Sequence, residues 1–261
     1  MIRAGIGGWN FEPWRKTFFP KGTPKTKELH YASRALTTIE VNGTFYSTFK
    51  PPTFQKWFAE TPDEFVFSLK ANRFATNRKV LADAKPSIDR FLESGVTELK
   101  KKLGPILWQF AHTKKFDPVD FEAFLALLPK TLDGLTLRHA VEPRHESFKT
   151  PAFVTLARKY NAAIVFADAK KFPSIPDATA VFVYCRLQES QENVPTGYNP
   201  AALKKWAEAA KAWQAGGTPK GMKLAGKAPA KKKRDVFVYF ISGAKVRNPA
   251  AAMAFLKVLK K

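Results

Sequence analysis

Thr38-Ile39-Glu40-Val41-Asn42-Gly43-Thr44-Phe45-Tyr46 reads as a short strand that ends in polar groups and then turns. Side chains alternate across a strand, so Ile39 and Val41 share one face while Glu40 and Asn42 share the other. A carboxylate and an amide at a strand end are costly to bury without partners. With Thr44-Phe45-Tyr46 beside them, they read as the lining of a ligand site. What lies on either side decides which sheet this strand belongs to.

Upstream, Ile2–Gly7 is β-rich and closes on Gly7-Gly8-Trp9. A long aromatic loop follows, and the spacing then predicts a helix over about Thr26–Leu36 with Thr26 as its N-cap. Downstream the alternation repeats. Thr37–Asn42, Glu64–Lys70, Ile106–Phe110, Leu135–Glu142, Ala163–Asp168, Thr179–Arg186 and Asp235–Ile241 read as strands. Helical patterns fall at about Thr53–Glu60, Ser87–Leu99, Pro118–Leu128, Pro151–Tyr160, Pro200–Ala215 and Pro249–Lys260. The sixth crossover, Ala169–Ala178, holds Pro173 and Pro176 and reads as irregular. Eight strands in strict alternation with helices close most simply as a TIM-type (β/α)8 barrel, an α/β fold of one domain over residues 1–261. An open dinucleotide-binding sheet is rejected, because Gly5, Gly7 and Gly8 do not make the G-x-G-x-x-G turn and no helix follows them.

The totals suit such a barrel. Of 261 residues, 45% are hydrophobic, with 23 Phe and 6 Trp, so a sizeable core is available. Lys and Arg number 44 against 22 Asp and Glu, a formal net charge of +22. Such a field attracts polyanions, so a small anionic ligand or nucleic acid is the expected partner class. Seven basic residues and no acid fall in 216–234 (Lys220, Lys223, Lys227, Lys231, Lys232, Lys233, Arg234), which reads as a flexible basic insertion before the eighth strand. The one cysteine, Cys185, sits in an apolar run and reads as a core residue, compatible with a reducing compartment. No leader pattern opens the chain and no apolar run reaches the ~20 residues of a membrane helix, so a cytoplasmic protein without membrane association is expected. The sequence sets no oligomeric state.

In such barrels the chemistry sits at the C-terminal strand ends. Those ends carry Trp9, then Glu40 and Asn42, Lys70, Gln109, Glu142 with Arg144 and His145, Asp168, and Arg186. Glu40, Glu142 and Asp168 are the candidate acid/base groups. Trp9, Asn42, Tyr46, Lys70, Gln109, Arg144, His145 and Arg186 are the candidate ligand-binding groups. Three acids alternating with three bases make either a salt-bridged plug or a charged pocket.

The chain resembles the DUF72 (YecE-like) family, whose motifs stand here as Gly7-Gly8-Trp9, Trp14, Phe19-Pro20, Glu40-Val41-Asn42-Gly43-Thr44-Phe45-Tyr46, Phe67-Ser68-Leu69-Lys70, Leu103-Gly104-Pro105-Ile106-Leu107-Trp108-Gln109, Glu142-Pro143-Arg144-His145-Glu146-Ser147, Asp168 and Tyr184-Cys185-Arg186. The resemblance spans nearly the whole chain in order. It implies a TIM-type barrel and no established reaction. Three places depart from the family pattern. Ala75-Thr76-Asn77 stands where Ile-Thr-His is usual, Arg186-Leu187-Gln188-Glu189 where Arg-x-His-Gly is usual, and Ile241-Ser242-Gly243 where an Asn-rich turn is usual. Two histidines suited to acid/base work are thus missing.

Three mechanisms remain open on the residues. A divalent-metal nuclease or phosphodiesterase needs clustered His with Asp and Glu, yet of His30, His112, His139 and His145 at most His112 and His145 reach the mouth, so no metal or other cofactor is assigned. Metal-independent acid/base hydrolysis needs two carboxyls whose pKa values are driven apart. Binding of a phosphate- or carboxylate-bearing ligand, or of nucleic acid, needs only Lys70, Arg144 and Arg186 with aromatic faces nearby. The favoured reading is an anion-binding site at the barrel mouth that also carries metal-independent acid/base chemistry, with nucleic-acid binding without catalysis or a metal-dependent nuclease as the alternatives.

Overall fold

The computed structural model describes residues 1–260. Eight parallel strands close a barrel: β1 (Ile2–Gly7), β2 (Thr38–Val41), β3 (Val66–Lys70), β4 (Leu103–Gln109), β5 (Arg138–Glu142), β6 (Ala163–Asp168), β7 (Phe182–Leu187) and β8 (Asp235–Phe240). They neighbour one another in sequence order, and β8 pairs with β1 from Ile2↔Val236 to Ile6↔Phe240. Seven principal helices pack outside: α1 (Glu28–Ala35), α2 (Pro51–Glu60), α3 (Lys85–Leu92), α4 (Pro118–Ala126), α5 (Pro151–Lys159), α6 (Pro200–Gln214) and α7 (Asn248–Leu259). The fold is the TIM-type barrel expected from the alternation. Residues 169–181 contain no helix, so the sixth crossover is irregular as well.

Local chemistry accounts for most helix starts. Pro occupies the first turn of α2 through α7, where its missing N–H costs nothing. Asp117, Thr150 and Asn199 cap α4, α5 and α6 through their side-chain oxygens. Thr26 does not cap α1. A 3-10 turn over Lys25–Lys27 precedes a helix that begins at Glu28 without a side-chain cap. The helix expected over Ser87–Leu99 stops at Leu92, because Gly95 turns the chain at φ 101°. The fifth run is also shorter than expected. Leu135–Thr136 pairs antiparallel with Thr131–Leu132, and the barrel strand begins only at Arg138.

Two apolar layers result. Between strands and helices lies the larger one, with aromatic clusters such as Phe110, Phe121, Phe148 and Phe153. Inside the barrel are Val66, Leu107, Phe182, Tyr184, Phe237 and Tyr239, which fill it below the polar mouth. The fill is tight enough that β1 needs glycine: a methyl group on Gly5 would stand 1.8 Å from the Thr38 carbonyl oxygen. The top of the interior belongs to polar side chains.

Segment 216–234 forms neither helix nor strand, yet it is tied down. Asp177 accepts from the Ala225 and Gly226 amides, Arg158 donates to the Lys227 carbonyl, and buried Arg234 donates to the Ala180, Ala230 and Lys232 carbonyls. These bonds run through backbone groups of the segment and through the Arg234 side chain, and they leave the lysine side chains out. Its six lysines remain exposed, at the end of the barrel where β8 begins.

Candidate functional site

Strand parity decides who meets at the mouth. Thr38 and Glu40 face inward on β2, Ser68 and Lys70 on β3, Gln109 on β4, Glu142 on β5, and Tyr184 and Arg186 on β7. Their hydrogen bonds bear this out. Arg186 lies across the barrel axis and clamps two carboxylates at once. Its Nε and Nη2 donate to Glu40 at 3.1 and 3.0 Å, and its Nη1 donates to both oxygens of Glu142 at 2.8 and 2.7 Å. Gln109 Nε2 donates to Glu142 Oε2 at 2.6 Å, and Arg144 reaches Glu142 Oε1 from Nε and Nη2 at 3.3 Å each. The Tyr184 hydroxyl donates to Glu40 Oε2 at 2.7 Å and meets the Ser68 hydroxyl at 2.9 Å. Below them, Thr38 joins the Tyr239 hydroxyl to the Val66 carbonyl.

Both glutamates are fully buried, and so is most of Arg186. Burial alone would push the Glu142 carboxyl up. The Arg186 and Arg144 charges and the Gln109 amide outweigh it and hold the group down at about 2. Burial likewise opposes the Arg186 charge, and the two glutamates more than restore it. Glu142 is thus an ionised acceptor at every ordinary pH and has no proton to donate.

Lys70 differs from its neighbours. It is 6% exposed, yet its Nζ makes no hydrogen bond or ion pair among the described residues. The amine sits 3.9 Å from the centre of the Phe45 ring, a cation–π arrangement. Burial first, then the Arg186 charge, lower it to about 8, against the pull of Glu40 and Glu142. The mouth therefore sets two carboxylates among three cations, and the carboxylates are already occupied. Because burial opposes the ammonium, Lys70→Met is expected to stabilise the fold at pH 7, by up to about 3 kcal/mol, as 2.5 pH units convert at ~1.4 kcal/mol each. The penalty is present below pH 8 and relieved as pH rises toward 10.5, so the gap between variant and wild type in chemical denaturation closes over that window.

Next to this cluster the loops after β5 through β8 line a half-open cavity of about 550 Å³. Arg144, Lys170, Lys171, Gln188, Ser190 and Ser242 are among its walls. The Arg144 guanidinium carbon lies over the Phe172 ring, 4.3 Å from its centre. Gln188 is 8% exposed, and its Nε2 is enclosed without a protein partner, a costly donor to leave idle.

Not every residue expected at the mouth gathers there. Asp168 has the wrong parity: Ala163, Val165 and Ala167 take the inward positions on β6, so Asp168 turns toward Glu189, Tyr198 and Lys205 outside the barrel. Burial and Glu189 raise its carboxyl above the ordinary value. Gly8 adopts φ 74° and swings Trp9 away, edge-on to Trp57 of α2 at 5.2 Å. Asn42 bonds weakly to the Glu40 carbonyl at 3.4 Å, and Tyr46 stands 64% exposed beyond Phe45. His145 accepts the Ser147 amide and caps a short turn instead of joining the cluster. His139 faces outward between Trp108 and the Pro129 carbonyl, where burial lowers it to about 4. Among the described residues no three His, Cys, Asp or Glu side chains gather as a metal-holding group. Among those same residues, no helix is long and apolar enough to cross a membrane. Tyr184 and Gln188 escaped the strand-end reading. Tyr184 lies two positions before Arg186, so inward parity pointed to it, whereas Gln188 was marked only as the position where the family pattern has a histidine.

Three comparisons with known proteins agree with one another. A family model described as "Protein of unknown function DUF72" matches residues 3–261. The UPF0759 protein YunF of Bacillus subtilis (strain 168) is 30% identical over 115 residues, 42% of this chain and 40% of that protein. The match thus spans less than half the length of this curated relative. A crystal structure of a DUF72 family protein from Thermotoga maritima superposes with a TM-score of 0.77 at 21% identity, covering 100% of both chains. One from Enterococcus faecalis V583 superposes at 0.73 and 18% identity, covering 100% of this chain and 96% of the other. At these identities the structural likeness speaks for the fold.

Proposed function

The chain belongs to the DUF72 family of proteins of unknown function, and from that premise we propose that its barrel mouth binds a small ligand bearing a phosphate or carboxylate group. One observation carries the reading. Arg186 satisfies both mouth carboxylates, so Lys70 is left without an acid while Arg144 and the idle Gln188 amide stand in the wall of the adjoining cavity. An anion there would gain charge-assisted hydrogen bonds that no group of the protein supplies. Acid/base hydrolysis by the glutamates fits less well, because Glu142 is held ionised and Asp168 lies outside the ring.

The test is titration calorimetry with inorganic phosphate and a set of small carboxylates. Binding is expected to one site, and Arg144→Ala and Gln188→Ala are each expected to weaken it by about tenfold or more, since a lost bond to a charged group costs ~1.5–3 kcal/mol. Wild-type affinity in both variants would refute the site. A second reading, nucleic-acid binding, is favoured by the six exposed lysines on the pinned 216–234 segment at the far end of the barrel. In the same experiment with oligonucleotides, that mode shows itself by a steep fall of affinity with salt that Lys→Gln changes in this segment flatten, leaving phosphate binding at the mouth intact.

A further inference from the structure

We propose that Lys70 is a covalent carbonyl-binding residue: its amine forms an imine with an aldehyde or ketone that also carries a carboxylate or phosphate. The proposal rests on the anion reading above for the charged end of that ligand and on separate observations for the carbonyl end. Lys70 ends β3 inside the mouth, with its stem buried and its Nζ against the Phe45 ring instead of against an acid. A lysine kept for structure finds acceptors, as Lys102 does with the Phe58 and Thr61 carbonyls at 2.6 and 2.7 Å. Lys70 has none, and the nearby carboxylates that could have taken it are held by Arg186. Its Nζ is also not among the enclosed, partnerless side-chain atoms of the chain. The amine therefore keeps some accessible surface at the mouth.

The surroundings keep part of the amine neutral. Glu40, Glu142, Arg186 and Arg144 are the charged groups facing Lys70, and burial with Arg186 dominates. At pH 7 an amine titrating near 8 is roughly one-tenth unprotonated, against well under ~0.1% for an ordinary lysine. Desolvated lysines of this kind are the ones that attack carbonyls. The neutral nitrogen adds its lone pair to the carbonyl carbon and forms a carbinolamine. The C–O bond then breaks, both former N–H protons leave with that oxygen as water, and a C=N bond remains. No oxidant or other co-reactant is consumed. Arg144 stands where it can hold the ligand's anionic group, and the Ser68 and Tyr184 hydroxyls come from the same inward face, two residues before Lys70 and Arg186 on their strands.

Reductive trapping of the full-length protein tests this. Glyoxylate, pyruvate or acetone is supplied with cyanoborohydride at pH 7, which adds hydride to any imine carbon and fixes it as a secondary amine. Peptide mapping by mass spectrometry then locates the adducts. The expected result is adduct on Lys70 with glyoxylate and pyruvate at least tenfold above any exposed lysine, and none at position 70 in Lys70→Met. Label spread over exposed lysines with Lys70 unmodified overturns the proposal. Its failure and that of the anion site are separable. Pyruvate and phosphate competing for one calorimetric site without trapping leave the anion reading and sink the imine. Trapping of acetone as strongly as pyruvate keeps the imine and sinks the anion reading.

Discussion

Arg186→Met is expected to destabilise the protein by about 3–5 kcal/mol in chemical denaturation, the cost of removing one partner from a buried ion pair. Here the loss strands two carboxylates at once. Glu40 keeps the Tyr184 hydroxyl, and Glu142 keeps Gln109 and the edge of Arg144, but neither retains a full counter-charge in the barrel interior. Lysine at this position should recover little, because a point charge cannot reproduce a fork that meets one carboxylate through Nε and Nη2 and the other through Nη1. Neutralising the partners separates electrostatics from packing. Adding Glu40→Gln and Glu142→Gln to Arg186→Met should restore most of the loss, since a buried ionic cluster replaced as a whole is often near neutral. A loss under about 1 kcal/mol in the single variant, or no rescue in the triple, would show that the clamp does not hold as described.

Acid exposes the same clamp from the other side. Glu142 falls from its ordinary 4.5 to about 2 in the folded chain. A depressed carboxylate contributes stability that is fully present above its unfolded pKa and is lost as pH falls through the folded one. The contribution is therefore complete above about pH 4.5 and disappears by about pH 2, a change of about 3 kcal/mol at ~1.4 kcal/mol per unit. Glu142→Gln should be less stable than wild type at pH 7, and the difference should shrink steadily between pH 4.5 and 2. If the two denaturation profiles stay parallel across that window, Glu142 is not held ionised by Arg186.

The barrel was legible in the sequence because its signals are periodic and redundant. Eight strand patterns alternating with helices survive errors at single boundaries, such as the Leu135–Thr136 pair that left the fifth strand for a hairpin. Much of the mouth was legible for a similar reason: Glu40, Lys70, Gln109, Glu142 and Arg186 all lie at strand ends with inward parity. What could not be read is pairing across the barrel. Nothing local says that one arginine takes both glutamates, and this is what leaves Lys70 free. Asp168 and Trp9 were misplaced by loop geometry at the last residue of a strand, where parity or a single positive φ at Gly8 reverses a side chain. The 216–234 segment looks loose by composition, and composition does not show its hydrogen bonds to residues far along the chain, such as Asp177, Arg158 and Ala180.

The central claim is that the mouth carboxylates are already neutralised and the surplus charge there is positive. Crystals soaked separately in bromide and in manganese test it by anomalous scattering. The account predicts a bromide peak beside Lys70 or Arg144 and no manganese between Glu40 and Glu142. Manganese bound between those two glutamates, with Arg186 displaced and bromide confined to the outer lysines, would contradict it.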